Sequence, residues 1–449
     1  MSVLKHEGKT RWVHRARFVM SQPERVLENA AVCVGADGRI LRVRQIGQAG
    51  VYGGLRATAT TEAEAGETET IDWGDAVLLP GLVNAHAHLE LTALGGRLTR
   101  FDSFTDWALR LIRDRREWSP EEYRASTREG AHLALASGTT LVGDISSSGF
   151  GWGAVSGASV RSPRRVVFEE TLGLTPELAD AAIGKVRELF HQADQADRRE
   201  SQPLQIHAVS PHAPYSTSGE LYRKAAEFVR SRNAVSGGFC RCPWTTHVAE
   251  TLGELRFFET GEGEFREFLQ RLGALPDNWV PPKTHPVVWL DGMNLLGSSC
   301  LLAHCNYLDD GAIGRIARSR ARVVYCPRSH AFFGHENQHP IRRLLDAGVP
   351  VALGTDSLAS NDSLGMLDEM RFLRTRRKDL APEEIFRAAT SDGAAALGFA
   401  GNLGCLEPGY FADMAVLQLP PNVKSEHLPA QILEGAGQVC GAIINGAAV

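Results

Sequence analysis

Residues 76–88 read AVLLPGLVNAHAH, an apolar run that ends on two histidines separated by one residue. Rich in Val and Leu, it has the pattern of a strand buried on both faces. Seven runs of the same kind follow: TTLVGDIS (139–146), RRVVFEETLG (164–173), LQIHAVSPHAP (204–214), PWTTHVAET (243–251), SCLLAHCN (299–306), ARVVYCPRS (321–329) and VPVALGTDS (349–357). Amphipathic stretches separate them, among them YRASTREGAHLALASG (123–138), ELADAAIGKVRELFHQ (177–192) and GELYRKAAEFVRSR (219–232). Strands alternating with helices in this way predict an α/β protein, a parallel (β/α)8 barrel. An open doubly wound sheet would share the alternation, but no Gly-rich phosphate loop follows the first strand. The placement of the polar residues decides for the barrel.

Those polar residues collect at the C-terminal ends of the runs, where barrel enzymes build their sites. His86 and His88 close the first, His207 and His212 flank the end of the fourth, His247 closes the fifth, His304 the sixth and Asp356 the eighth. Side chains alternate along a strand, so His86 and His88 point the same way, into the barrel mouth. Two imidazoles on one face can share an ion without distorting the backbone. One more His and a carboxylate complete a mixed N/O set suited to Zn2+ or Fe2+, with a coordination position left for water. Any one of these histidines alone reads as a hydrogen-bonded structural residue; the ensemble reads as a metal site.

The two ends of the chain have a different texture. RWVHRARFVM (11–20) and AAVCVGADGRILRVRQIG (30–47) alternate apolar and polar residues, the second broken by the turn signal Ala36-Asp37-Gly38. Residues 57–70, ATATTEAEAGETET, form a polar low-complexity loop. After PEEIFRAATSDGAAALGF (382–399), strand-like patterning returns in GCLEPGYFADMAVLQL (404–419) and QVCGAIINGAAV (438–449). The expected organisation is a small discontinuous β-sandwich from residues 1–75 and 401–449, with the barrel of residues 76–400 inserted between its halves.

Composition narrows the class of partner. The net charge is −5 and no Lys/Arg-rich block stands out, which excludes a nucleic-acid polymer. The first 20 residues carry charge throughout and have no apolar core, so they are not a secretory signal. No run approaches the ~20 apolar residues that cross a bilayer. Eight cysteines lie scattered in mostly apolar surroundings, as reduced core thiols of a cytoplasmic protein do. Cys240-Arg-Cys242 lacks both C-x2-C spacing and a second half, so it is set aside as a metal pair.

The segments PGLVNAHAHLELT (80–92), THVAETLGEL (246–255), LLAHCNYLDD (301–310), LGTDSLASND (353–362) and LEPGYFADMAVL (406–417) resemble the amidohydrolase superfamily. Within it they look like the branch of cytosine and S-adenosylhomocysteine deaminases, which also holds guanine deaminases and triazine chlorohydrolases. The resemblance implies that His86, His88, His247 and Asp356 ligate one divalent metal, Zn2+ ahead of Fe2+. It implies that Glu250 shuttles the proton, that His304 and Asp356 orient the attacking water, and that His212 contacts substrate. Binuclear relatives carry a carboxylated Lys at the end of strand four; LQIHAVSPHAP has none, in keeping with a single ion. The other reading of Glu250 is a surface residue that begins a helix.

Substrate is less legible. AHAHLELT (85–92) resembles the form of this motif in aminodeoxyfutalosine deaminases. Glu90 either hydrogen-bonds a ribose hydroxyl or amine, or holds a loop. Phe101, Phe104 and Trp107 either stack on a purine or fill a helix core. CPRSHAFFGH (326–335) puts His330 where the family commonly has Asn, so His330 is expected to touch substrate, and Asn361 to shape the pocket beside Asp356. The resulting expectation is hydrolytic deamination of a 6-aminopurine nucleoside derivative by a homo-oligomer acting on a small molecule. The alternatives are hydrolysis of another nitrogen heterocycle (guanine, cytosine or an s-triazine, including dechlorination) and a catalytically dead scaffold.

Overall fold

The computed structural model describes residues 9–46, 68–99, 101–155, 162–197, 205–235 and 242–449. Most of the polar loop 57–70 and Cys240 of the Cys-Arg-Cys pair lie outside these residues.

Eight parallel strands pair in chain order: β1 (Leu82–Ala87), β2 (Thr139–Ser146), β3 (Arg164–Thr171), β4 (Gln205–Pro211), β5 (Trp244–Val248), β6 (Cys300–His304), β7 (Arg322–Tyr325) and β8 (Val351–Leu353). The last meets the first through a parallel bridge between Ala87 and Asp356. There the Asp356 N–H donates to the His86 carbonyl (3.0 Å) and the His88 N–H to the Asp356 carbonyl (2.9 Å). The seam of the barrel is thus stitched by the residues of the expected metal site. β1 and β2 are buried along their whole length, as strands packed on both faces require.

Local signals start and stop the surrounding helices. Ser119 and Glu122 form a capping box at Pro120–Ala136, with Pro120 in the first turn. Asp309 caps Asp310–Ser319 through the Ala312 N–H. Thr251 caps Leu252–Thr260, which ends at Gly261 in the left-handed conformation, φ 77°.

The run 76–88, read as one strand, is two. Ala76–Pro80 pairs antiparallel with Met414–Gln418 in the sheet of the chain ends, and only Leu82–Ala87 belongs to the barrel. The barrel therefore begins after the expected boundary at residue 76. Pro80-Gly81 makes the hand-over. A Cβ on Gly81 would lie 1.9 Å from Thr140 Oγ1, so the backbone crosses β2 only where no side chain stands.

The second sheet also has eight strands, in the order 447–448, 438–444, 414–418, 76–80, 10–22, 25–35, 40–45, with 69–72 alongside 10–22. One face sends Phe18, Met20, Val77 and Leu79 into the barrel's core cluster. The other packs Val19, Val32, Ile40, Leu78, Met414 and Val416 around a core of its own. The sheet curls until Ile40 donates to the Tyr410 carbonyl (2.8 Å), so one sheet supplies both layers of the small module. Each fully buried side chain of this size contributes roughly 1.5–3 kcal/mol of transfer free energy.

Candidate active site

β1, β5 and β8 deliver the four expected ligands to one place. His86 is buried, and neither of its ring nitrogens has a hydrogen-bond partner among the described residues. An orphaned imidazole in a closed interior is costly unless something else completes it. His88 Nε2 faces His247 Nε2 at 3.3 Å. Asp356 Oδ1 lies 3.7 Å from His86 Nε2 and 3.6 Å from His88 Nε2. Its other oxygen, Oδ2, accepts from Ser329 Oγ (2.7 Å) and Ser360 Oγ (2.5 Å), which turns Oδ1 toward the histidines. His247 Nδ1 bonds the His212 carbonyl at 2.9 Å; an N–H there leaves the Nε2 lone pair free, as outer partners of metal-binding histidines do. Burial holds His86 and His88 well below the usual imidazole range and His247 at about 4, so all three are neutral near pH 7, the form that ligates. These donors fit a divalent cation.

The backbone around them is bent to a purpose. Ala249, His304, Cys305 and Asp356 all have positive φ (51°, 68°, 52° and 62°), a conformation non-glycine residues adopt only when neighbours enforce it. At β5 the enforcer is Glu254: Oε1 accepts from the Ala249 N–H (3.0 Å) and Oε2 from the Glu250 N–H (2.8 Å). At β6 it is His339, whose Nε2 bonds the His304 carbonyl at 2.8 Å. Gly354, just after β8, is forced by contact, since a Cβ would sit 2.7 Å from the His86 carbonyl oxygen.

Glu250 is buried beside the ligands, with Oε1 3.5 Å from His304 Nε2. Burial first, then the charges of Asp356 and Glu254, push its pKa well above the usual carboxylate range, as a proton-carrying acid requires. Its carbonyl accepts from Asn306 Nδ2 at 3.0 Å, which fixes the turn. The surface reading of Glu250 is therefore excluded by its position. His304 likewise stays neutral, its pKa held well below the usual range by burial and by His247.

The expected ligands His88, His247 and Asp356 line a cavity together with Phe104, Trp107, Arg115, Glu170, His212 and Tyr215. Phe104 and Trp107 thus line the cavity from a helix that also packs on the core, whereas Phe101 packs on Phe332 and Phe333. Three expected substrate contacts lie elsewhere. Glu90 is spent on the loop after β2, accepting from the Ser147 N–H (3.1 Å), the Ser148 N–H (3.3 Å), Ser148 Oγ (2.7 Å) and Arg115 (3.4 Å); it holds that loop. Asn361 bonds Arg328, the Thr355 carbonyl and Glu369 and orders the loop behind Asp356. His330, on the short helix Pro327–Phe332, packs with His335 and Tyr325 and is not among the residues lining the cavity. His207 points out of the barrel onto Trp152 and Phe190. Sequence reading missed Ser329, Glu254 and Glu170. Of these only Glu254, four residues after Glu250 in THVAETLGEL, carried a visible signal.

A closed parallel barrel with a His/carboxylate cation site at the C-terminal ends of its strands defines a class of metal-assisted hydrolases. Within that class the chain belongs to the amidohydrolase family, whose model matches residues 77–449. A 5-methylthioadenosine/S-adenosylhomocysteine deaminase of Syntrophomonas wolfei is 31% identical over 83% of this chain and 80% of its own. An aminodeoxyfutalosine deaminase of Nitratiruptor sp. is 29% identical over 77% of this chain and 80% of its own. Among solved structures, the aminofutalosine deaminase of Helicobacter pylori in complex with methylthio-coformycin superposes with a TM-score of 0.78 at 24% identity, over 98% of this chain and 100% of that one. No helix among the described residues is long and apolar enough to cross a membrane.

Proposed function

We propose that this chain is a deaminase of aminated purines, acting on a 6-aminopurine nucleoside derivative such as aminodeoxyfutalosine, adenosine or S-adenosylhomocysteine and releasing ammonia. The observation that carries the reading is Glu250, a buried carboxyl with a strongly raised pKa, set beside His304 and the ligand group. His86, His88, His247 and Asp356 would hold one divalent ion, Zn2+ ahead of Fe2+. Once bound, that ion lowers the pKa of the attacking water toward neutrality. The chain's own residues do the rest. Glu250 donates its proton to the ring nitrogen next to the amino-bearing carbon, which makes that carbon electrophilic; recharged with the proton that His304 and Asp356 take from the water, it then passes a proton to the departing amine. His304 and Asp356 orient the water and take its proton. Phe104 and Trp107 supply a flat apolar wall for a purine, and the named relatives above act in the same chemical series.

The acidic net charge of −5 fits a cytoplasmic enzyme of small molecules that engages neither nucleic-acid polymers nor membranes. A homo-oligomer is the expected assembly. The test is ammonia release by the metal-loaded protein over aminodeoxyfutalosine, adenosine and S-adenosylhomocysteine, run beside chloride release from halotriazines. Turnover of at least one nucleoside is expected; turnover of triazines alone would overturn the reading.

A further inference from the structure

Glu170, the penultimate residue of β3, has no role in the proton and metal chemistry above. Its side chain is only 7% exposed, it lines the active-site cavity, and its Oε1 has no hydrogen-bond partner among the described residues. The nearest polar group that pairs with it is His212 Nε2, 4.0 Å away, a gap wider than a hydrogen bond and narrow enough for one substrate atom to touch both. The cation next in reach is already committed: Arg115 donates to Ser147 Oγ (2.8 Å) and to Glu90 (3.4 Å). His212 is itself fixed, with Nδ1 on Ser216 Oγ at 2.6 Å, so its Nε2 edge is the one presented. A buried carboxyl left unpaired is destabilising, and burial lifts this one to about 7. Hydroxyl donors from a ligand would remove that strain.

The same group could be read as part of a cation cluster, because ligand atoms of Glu170, His212 and His247 lie within 4.8 Å of one another. The hydrogen bonds argue against an independent ion. His247 Nδ1 is used by the His212 carbonyl, which leaves a single nitrogen, already directed at His88.

Resting on the deaminase reading, we propose that Glu170 is a specificity-determining residue that recognises the sugar of the substrate. Its carboxylate accepts hydrogen bonds from ribose hydroxyls, with His212 Nε2 on their flank, so that nucleosides bearing those hydroxyls are selected over analogues lacking them. A carboxylate reading a ribose hydroxyl is a recurrent solution in nucleotide-binding sites, and the discrimination it gives comes from leaving a buried acceptor unpaired when the donor is missing.

The experiment compares adenosine with 2′,3′-dideoxyadenosine. Binding to the zinc-loaded protein is measured by calorimetry in a Glu250→Gln background, with and without Glu170→Ala or Glu170→Gln, and ammonia release is measured with Glu250 intact. Glu170→Ala is expected to weaken adenosine about tenfold or more and dideoxyadenosine less than about twofold, with Glu170→Gln between the two and metal content at one ion per chain throughout. Equal losses on both ligands, or no loss on either, would overturn the inference, as would a second ion that disappears in Glu170→Ala. If the wild-type protein releases ammonia and the ligand-selective loss is absent, only the inference falls. If it neither binds nor deaminates any nucleoside, the functional reading falls and takes the inference with it.

Discussion

The two ends of the barrel interior treat buried charge in opposite ways. At the base, Arg164 at the start of β3 meets Asp413 from the returning segment, with Nε on Oδ2 (2.7 Å) and Nη2 on Oδ1 (3.2 Å). Asn445 adds its N–H to Asp413 Oδ1 (2.9 Å) and its side chain to Arg164, while the guanidinium stacks on Phe411 at 4.6 Å. Apart from Arg164 Nη1, which finds no hydrogen-bond partner among the described residues, charge there is closed upon itself and ties the barrel to the sheet of the chain ends. At the mouth, His86 has no partner on either nitrogen and Glu170 has none on Oε1. The same fold thus buries one polar group to hold the protein together and another to be completed by something the chain does not contain.

Substitutions at the two ends should separate along that line. The largest effect belongs to His247→Ala, which removes one of the four expected ligands. Metal content is expected to fall to near zero and ammonia release to background, with little change in melting temperature for the metal-free protein. Next is Glu250→Gln, expected to keep its metal and lose about 10²–10⁴-fold in turnover, the usual range for a positioned acid–base group. Equal metal loss in both variants would show that Glu250 is a ligand and not a proton carrier. At the base, Asp413→Ala leaves Arg164 buried without its counter-charge. It should cost about 3–5 kcal/mol, read as a lowered thermal midpoint, while turnover per folded molecule stays near that of wild type. Turnover lost in proportion to turnover in Glu250→Gln would erase the distinction between the two ends.

A smaller effect concerns Glu169, which points out of the barrel toward His207 (3.8 Å) and is raised to about 8, chiefly by burial. A carboxyl whose folded pKa lies above its unfolded one binds its proton more tightly in the folded state. Its contribution is therefore favourable at low pH and is lost as pH rises from about 4.5 to about 8. Glu169→Gln should raise the melting temperature at pH 8–9, by about 1–3 kcal/mol of stability, and leave it nearly unchanged near pH 4.5. A variant that tracks wild type across that range would show that Glu169 is satisfied in solution.

Much of this was legible from residue order. Each of the eight apolar runs contains one barrel strand, and the residues closing runs one, five, six and eight do converge. Period and position suffice there because a strand end has one inward direction. The mis-read strand 76–88 shows where pattern stops: both halves are apolar, and only the contact of Gly81 with Thr140 says that they serve different sheets. Glu90 and Asn361 share a strand end or loop with the expected ligands, yet their carboxylate and amide are used by groups such as the Ser147 N–H and Arg328, brought in from sequence-distant segments. No local rule anticipates those partners. Glu170 was passed over for the converse reason, since an acidic residue in RRVVFEETLG has nothing in its neighbourhood to mark its aim into the mouth.

The most direct test of the central claim is metal stoichiometry by elemental analysis on purified wild-type, Glu250→Gln and His247→Ala proteins. One divalent ion per chain in the first two and almost none in the third is the expected result. An ion retained in His247→Ala, or a wild-type enzyme fully active with none bound, would contradict it.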